Sequence, residues 1–329
     1  MAEFYCAPLE GVTGYAFRRA HARYFAPADK YFAPFFAPTR EHVFPPRVLR
    51  ELSPANNAGV RAVPQLLCRS AEDFVWAANA LAGMGYGEVN LNLGCPSGTV
   101  TAKGKGSGLL SRPQELRHFL EQVFSAVDVR VSVKTRLGFS QPEEFPPLLE
   151  IFNDFPISEL TVHARVRADM YRPGARSEWF VYALEHSRAP ICCNGDFFSA
   201  PSVRAFLAAR PDCPAVMLGR GLAAVPELTN SLHSLPPRPE RARRAALRGF
   251  HAEIYETCAA DFGSERSAML RMKELWNYLR FTFTDCEREM KRVLKSKSPS
   301  EFLSAADTVL LSCPLAPEPA YRPKEAAVS

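Results

Sequence analysis

Up to about Leu235 the chain alternates short apolar runs with amphipathic stretches, and eight such runs can be counted. They span residues 4–7, 30–36, 62–67, 88–93, 130–135, 159–163, 190–193 and 215–218. Runs this short suit strands buried on both faces, and most are followed by apolar residues at helical spacing. The helical stretches include 71–84, 113–126, 143–153, 177–186, 200–209 and 225–234, with Ser or Pro near several of their starts. Eight β/α repeats in about 235 residues match the ~250 that a (β/α)8 TIM barrel needs, with an open doubly wound sheet as the alternative. A hydrophobic content of 47% leaves enough apolar side chains for a core of that size.

The pattern ends at Leu235-Pro236-Pro237-Arg238-Pro239, where three prolines in four residues lack backbone donors and form a stiff linker. Beyond it there is almost no strand signal, and 240–260, 264–281, 285–297 and 299–311 read as helices of a bundle. The expected organisation is a barrel over 1–235, a smaller helical domain over 236–313, and a proline-rich flexible tail over 314–329. Of the net +5, the excess lies in 238–300, with 14 Lys/Arg against 9 Asp/Glu, as a polyanionic partner would require and as a solvated helical face also shows. No apolar run approaches the roughly 20 residues of a membrane span, and the start lacks a basic-then-apolar leader, so a cytoplasmic protein is expected. The nine cysteines show no Cys-x-x-Cys spacing, which suggests neither a metal site nor a disulfide framework. A monomer with no obligate protein partner is expected, since no long exposed apolar helix demands one.

In a barrel the chemistry gathers at the C-terminal ends of the strands. Strand four runs into Asn90-Leu91-Asn92-Leu93-Gly94-Cys95-Pro96, where Gly94 and Pro96 stop the strand and leave Cys95 on the first turn beyond it. An inert buried cysteine before a loop would look the same. Lys103-Gly104-Lys105-Gly106-Ser107-Gly108 then reads as a stretch too rich in glycine to pack, a mobile, positively charged lid. The other ends bring Pro8-Leu9-Glu10, Gln65, Lys134 with Arg136, His163 with Arg165, Asn194-Gly195-Asp196 and Gly219-Arg220-Gly221. Any one could be a snorkelling lysine or a hydrogen-bonded core histidine, but seven convergent polar ends call for a ligand or network to satisfy them. The glycines of the last two ends let backbone amides approach an anion, and Arg220 supplies charge, as in the frequent phosphate site of barrels. Lys134, with Gln65 and His163, could hydrogen-bond a planar heterocycle and stabilise an anionic reduced flavin. FMN satisfies both halves of that description.

Together, 7–13, 90–96 with Gly108-Leu109-Leu110, 133–138, 162–165, 193–196 and 218–221 resemble the tRNA-dihydrouridine synthase family in the right order across the whole barrel. Leu9, Gly14 and Ala164 stand where many members carry methionine, an acidic residue and glycine. The resemblance implies FMN held by Pro8, Leu9, Glu10, Gln65, Lys134, His163, Asn194, Gly195, Asp196, Gly219 and Arg220, reduction of that flavin by NADPH, and Cys95 as the acid. It also implies tRNA as substrate, with a D-loop uridine reduced to 5,6-dihydrouridine.

Hydride addition at C6 of a uracil ring places negative charge on the C5 to C4-carbonyl enolate, so C5 must be protonated. A thiol of ordinary pKa, ~8.5, is mostly protonated at neutral pH and can serve as that acid. A stacked uridine must leave its neighbours to react, which requires RNA contacts around the pocket. Asn92, Lys103, Lys105, Arg136, Arg165 and Arg167 are candidates there, and Arg271 and Lys273 on the helical domain would grip the backbone. The rivals are an FMN-dependent ene-reductase of the dihydroorotate dehydrogenase type acting on a small molecule, a barrel aldolase with Lys134 as Schiff-base lysine, and a non-catalytic RNA-binding barrel.

Overall fold

In a computed structural model, which describes residues 2–172 and 174–323, all eight expected runs form strands and the third is divided in two. The strands are β1 (Glu3–Cys6), β2 (Lys30–Phe32), β3 (Ala62–Val63), β4 (Gln65–Leu66), β5 (Glu88–Leu93), β6 (Arg130–Gly138), β7 (Leu160–Val166), β8 (Ile191–Asn194) and β9 (Ala215–Leu218). Their order in the sheet is β3-β2-β1-β9-β8-β7-β6-β5-β4, with parallel pairing throughout the registers seen. The two ends, β3 and β4, are separated only by Pro64. Proline has no N–H for the ladder, so the run breaks there: Val63 pairs with Phe32 on one side and Gln65 with Asn90 on the other. The chain itself thus closes the sheet into the eight-part TIM barrel that the sequence predicts.

The helices that flank these strands follow from their apolar spacing. In Ala71–Gly83 the hydroxyl of Ser70 accepts from the Asp73 N–H at 3.2 Å, and Phe74, Ala77, Ala78 and Leu81 make the buried stripe. Pro113–Phe124 opens on proline and buries Leu116, Phe119, Leu120 and Val123. Phe74 and Phe119 meet edge to face at 5.9 Å. Each such ring or branched side chain contributes about 1.5–3 kcal/mol on burial.

Inside the sheet the lining is divided. One part is apolar, with Tyr5, Phe32, Val63, Cys192, Ala215 and Met217 in one buried cluster. The other part is polar in layers, because Glu88, Asn90 and Asn92 alternate with Val89, Leu91 and Leu93 and share one face of β5. At the N-terminal end of the strands the Lys30 ammonium lies 3.2 Å from Glu88 and 3.0 Å from Glu159, and the Tyr5 hydroxyl is 2.8 Å from Glu159.

The chain divides into two compact units. The first comprises residues through Pro8, Asp29–Asp196 and Ala209–Met217; the second comprises Leu9–Ala28, Phe197–Ala208 and everything from Leu218. The second unit therefore takes in more than the helices beyond Pro239. Helix Tyr15–Tyr24 packs along helix Glu240–Phe262: Phe17 and Phe25 meet Phe250 at 5.4 and 5.5 Å, and Arg19 pairs with Glu253 at 3.1 Å. A Cβ on Gly249 would come within 2.3 Å of the Tyr24 ring, so glycine is required for that approach. Helices Glu265–Leu279, Glu287–Lys295 and Pro299–Ser312 also belong to this unit. The stretch expected to be a loose tail is tied down between 314 and 323. Thr284 N–H donates to the Pro314 carbonyl, Ala316 N–H to that of Thr282, and the Tyr321 ring packs on Phe198 and Phe281. Residues 324–329 of that tail lie outside the described residues.

Candidate active site

The Asn92 side chain organises the turn that carries Cys95. Its Oδ1 accepts from the N–H groups of Gly94 at 3.0 Å and Cys95 at 2.9 Å, and its Nδ2 donates to Gln65 Oε1 at 2.7 Å. Gln65 in turn donates to Asn90 Oδ1 at 2.7 Å, and Asn90 donates to Ser132 Oγ at 2.9 Å. The result is a continuous amide chain across β4, β5 and β6, fully satisfied and buried, which fixes the strand-to-turn junction in one geometry. From the other side, Ser107 donates both its N–H, at 3.2 Å, and its hydroxyl, at 2.8 Å, to the Cys95 carbonyl. Cys95 is half-buried.

The glycine-rich stretch after Cys95 is not an unpacked lid. Gly106, Ser107 and Gly108 are buried in a short 3-10 helix, Gly106–Ser111. Gly106 has φ +57°, and a Cβ there would stand 2.9 Å from the Cys95 carbonyl; one on Gly108 would stand 2.7 Å from that of Thr101. These glycines serve close backbone approach, not freedom. Lys103 is exposed and Lys105 half-buried.

Two strands run further than the sequence suggests. β6 continues to Gly138 and β7 to Val166, with Arg136 opposite His163 in the register. That places Arg136 and Arg165 within strands, where both are buried to about 1–2% exposure. Arg136 donates to the carbonyls of Gly94 at 2.8 Å and Val166 at 2.9 Å, and its guanidinium lies 5.6 Å from the Tyr171 ring centre. Burial pulls it down to about 10, so it stays charged at neutral pH. Arg165 pairs with Asp196 at 2.6 Å and donates to His163 Nε2 at 3.0 Å. A guanidinium can only donate, so that nitrogen is the acceptor and the His163 Nδ1 carries hydrogen.

Lys134 donates to Asn194 Oδ1 at 2.9 Å, and Asn194 donates onward to the Met217 carbonyl at 2.9 Å. Burial first and the Arg136 guanidinium second lower the Lys134 ammonium to about 8. Asp196 also accepts from the Ala175 N–H at 2.9 Å, while Asp169 accepts from Val166 N–H and pairs with Arg176. Asp169, Tyr171 and Arg176 were not anticipated, because nothing in an irregular loop marks which residues fold back. Asn90 was legible in principle from its two-residue spacing to Asn92.

The remaining predicted residues are placed as follows. Pro8 and Gly195 are half-buried in the first unit, and Arg167 lies 5.3 Å from the Phe139 ring centre. In the second unit the Leu9 N–H donates to Thr13 Oγ1 at 2.7 Å, and Glu10 is exposed. Gly219 and Arg220 are half-buried, with the Arg220 guanidinium against Phe198 and Tyr321. Arg271 is exposed and lies against Gly11, whose φ is +79°. Lys273 donates to the Ser296 carbonyl just past the end of helix Glu287–Lys295, so its ammonium is engaged within the protein. Among the described residues no group of three or more His, Cys, Asp or Glu could hold a metal, and no helix is long and apolar enough to cross a membrane.

The family model for dihydrouridine synthase (Dus) matches residues 5–309. The chain belongs to that family. A probable tRNA-dihydrouridine synthase 1 from Synechocystis sp. is 34% identical over 231 residues, 69% of this chain and 63% of the relative, so the alignment spans under two thirds of that protein. A probable tRNA-dihydrouridine synthase from Rhodobacter capsulatus is 27% identical over 87% of this chain and 89% of its own. A tRNA-dihydrouridine(16) synthase from Neisseria meningitidis is 27% identical over 74% of each. Among solved structures, an old yellow enzyme homologue from Zymomonas mobilis superposes with a TM-score of 0.52 at 14% identity, covering 72% of this chain and 90% of that one. At that identity the likeness is one of fold.

For this Dus family member the amide chain makes a specific prediction. Asn92→Ala removes the acceptor of two N–H groups and strands the Gln65 carbonyl, at a cost of about 1–3 kcal/mol for each buried group left unsatisfied. The Cys95 turn is then released on one side. Chemical denaturation should show a loss of about 2–4 kcal/mol, and hydrogen exchange at Gly94 and Cys95 should speed up while β9 stays protected. Unchanged exchange at both amides would contradict the role given to Asn92.

Proposed function

We propose that the chain reduces a uridine in the D-loop of tRNA to 5,6-dihydrouridine, with FMN as its resident cofactor and NADPH as reductant. The observation that carries this reading is the half-buried Cys95 on a turn locked by Asn92 and Ser107, in a barrel mouth whose polar wall includes Lys134, His163 and Asn194. The donor set fits FMN. An ammonium at Lys134 and a ring N–H at His163 suit a heterocycle rich in carbonyl and imine acceptors, and the Arg220 guanidinium suits a phosphate. Pro8, Leu9, Glu10, Gln65, Asn194, Gly195, Asp196 and Gly219 complete the set that would hold it.

FMN held by these residues would supply hydride chemistry for C6 of the uracil ring. The Cys95 thiol then delivers its proton to C5, discharging the enolate, and solvent returns a proton to the thiolate. Overall, uridine, NADPH and one proton become dihydrouridine and NADP+. Asn92 holds the Cys95 backbone and borders the uracil; Arg136 and Arg165, buried and bonded to protein acceptors, shape the wall behind it. Lys103, Lys105 and Arg167 meet the RNA around the mouth, and Arg271 and Lys273 on the helical region from 236 to 313 meet its backbone. The protein acts as a monomer in the cytoplasm.

The absorption spectrum of the purified protein tests this reading. Flavin bands that bleach with anaerobic NADPH and return on adding unmodified tRNA are expected. A colourless protein that cannot be reconstituted with FMN would overturn it and leave Lys134 as the centre of some other chemistry.

A further inference from the structure

Helix Gly98–Thr101 is followed by the two hydrogen bonds of a Schellman turn: the Gly104 N–H donates to the Thr101 carbonyl at 2.9 Å and the Lys105 N–H to that of Val100 at 3.3 Å, with Gly104 at φ +65°. The turn fixes Lys103 and Lys105 on either side of a buried glycine, in the segment that goes on to bind the Cys95 carbonyl through Ser107. Two further cations reach the same glycine. A Cβ on Gly104 would stand 3.2 Å from Arg69 Nη1 and 3.4 Å from Arg112 Nη1, so both guanidiniums close over its bare face. Arg69 is placed by its neighbours, since the Cys68 thiol donates to the Ser70 carbonyl at 3.0 Å and the Ser70 hydroxyl caps helix Ala71–Gly83. Arg112 follows the 3-10 helix directly and opens helix Pro113–Phe124.

Four cations thus share one patch. Among the described residues the carboxylate paired with any of them is that of Glu115, 3.3 Å from Arg112 and itself on the surface. The arrangement works against the fold, because guanidiniums side by side repel and the start of a helix is the end that disfavours a cation. We propose that Arg69 and Arg112 together grip one backbone phosphate of the RNA, flanked by Lys103 and Lys105, beside the uridine that enters the site. The inference rests on the reading that the substrate is tRNA. A phosphodiester supplies the missing negative charge, and each planar fork can donate to one of its unbridged oxygens. A nucleotide drawn out of its stack needs its flanking backbone held, and Ser107 ties this patch to the Cys95 turn only three residues beyond Gly104.

Equilibrium binding of unmodified tRNA to the flavin-loaded full-length protein, read by fluorescence anisotropy over a range of salt, tests the inference. Arg69→Gln and Arg112→Gln should each weaken binding about fivefold, and the two together about tenfold instead of the roughly twenty-five-fold of independent contacts, because both reach one phosphate. The plot of log affinity against log salt should become shallower by about 1 in the double variant, the share of a single phosphate. Arg69→Lys with Arg112→Lys, which keeps both charges, should keep that slope. Arg188→Gln, which removes an exposed charge just before β8 at the opposite end of the strands, should leave affinity and slope nearly as they are. Bleaching by NADPH should keep its rate in every variant. A double Gln variant with wild-type affinity and slope, or one no weaker than Arg188→Gln, overturns the inference, and single effects that multiply in the pair overturn the shared phosphate. Slower bleaching with tRNA binding intact would give the patch to a phosphate of NADPH and overturn it as well. If the wild-type protein binds no tRNA, the reading of the substrate fails first and takes this inference with it.

Discussion

Replacing Cys95 with alanine should lower the rate of dihydrouridine formation by about two to four orders of magnitude, the usual contribution of a positioned general acid. The flavin content and the anaerobic bleaching by NADPH should not change. This separation follows from how the turn is held. Asn92 and Ser107 bind the backbone N–H and carbonyl of residue 95, so the turn keeps both of these anchors when the thiol is removed. Mass spectrometry of nucleosides from treated tRNA reads the product, and the spectrum of the same sample reads the flavin. Serine at 95 should recover little, because a hydroxyl is a far weaker acid than a thiol. A Cys95→Ala protein with full turnover would remove the thiol from the chemistry.

The second large effect belongs to the opposite end of the strands. Lys30→Met should cost about 3–5 kcal/mol of stability, since it leaves the carboxylates of Glu88 and Glu159 buried without their cation. The side chains of all three residues are less than a tenth exposed. Burial already raises Glu159 above the usual carboxylate range, while Lys30 pulls it down. Without Lys30 the carboxyl moves further up, so between the unfolded value, about 4.3, and the new folded value the native state binds more protons than the unfolded one. Stability must then fall as pH rises through that window. The deficit of Lys30→Met should therefore be larger at pH 8 than at pH 5, and Glu159→Gln in the same chain should recover part of it. Urea denaturation at the two pH values measures both. A deficit that does not depend on pH would mean that Lys30 acts through packing alone.

Local sequence carried the barrel well. The strands 88–93 and 215–218 and the helix 200–209 form at the predicted residues, because alternation and helical spacing are properties of a few consecutive side chains. The break at Pro64 needed a partner strand on each side to become visible, and the grouping of helix Tyr15–Tyr24 with Glu240–Phe262 is a contact across more than two hundred residues. At the site, Gln65, Asn92, Cys95, Lys134, His163 and Asn194 were legible as polar residues closing apolar runs. What was misjudged is where those runs stop and what glycine is for. Arg136 and Arg165 look like loop cations until the strands are seen to continue beneath them. Gly106 and Gly108 look loose until the Cys95 and Thr101 carbonyls are seen to stand where a Cβ would project. In both cases the deciding atoms are supplied by a different segment, and no window of sequence contains them.

The most direct test of the account is a mass measurement on tRNA lacking dihydrouridine, incubated with the flavin-loaded protein and NADPH and then digested to fragments. A gain of two mass units confined to a uridine of the D-loop fragment, absent without NADPH and nearly absent with Cys95→Ala, is the expected result. No gain in any fragment, from a protein whose flavin NADPH demonstrably reduces, would contradict the central claim and turn the search toward a small-molecule acceptor for the same barrel.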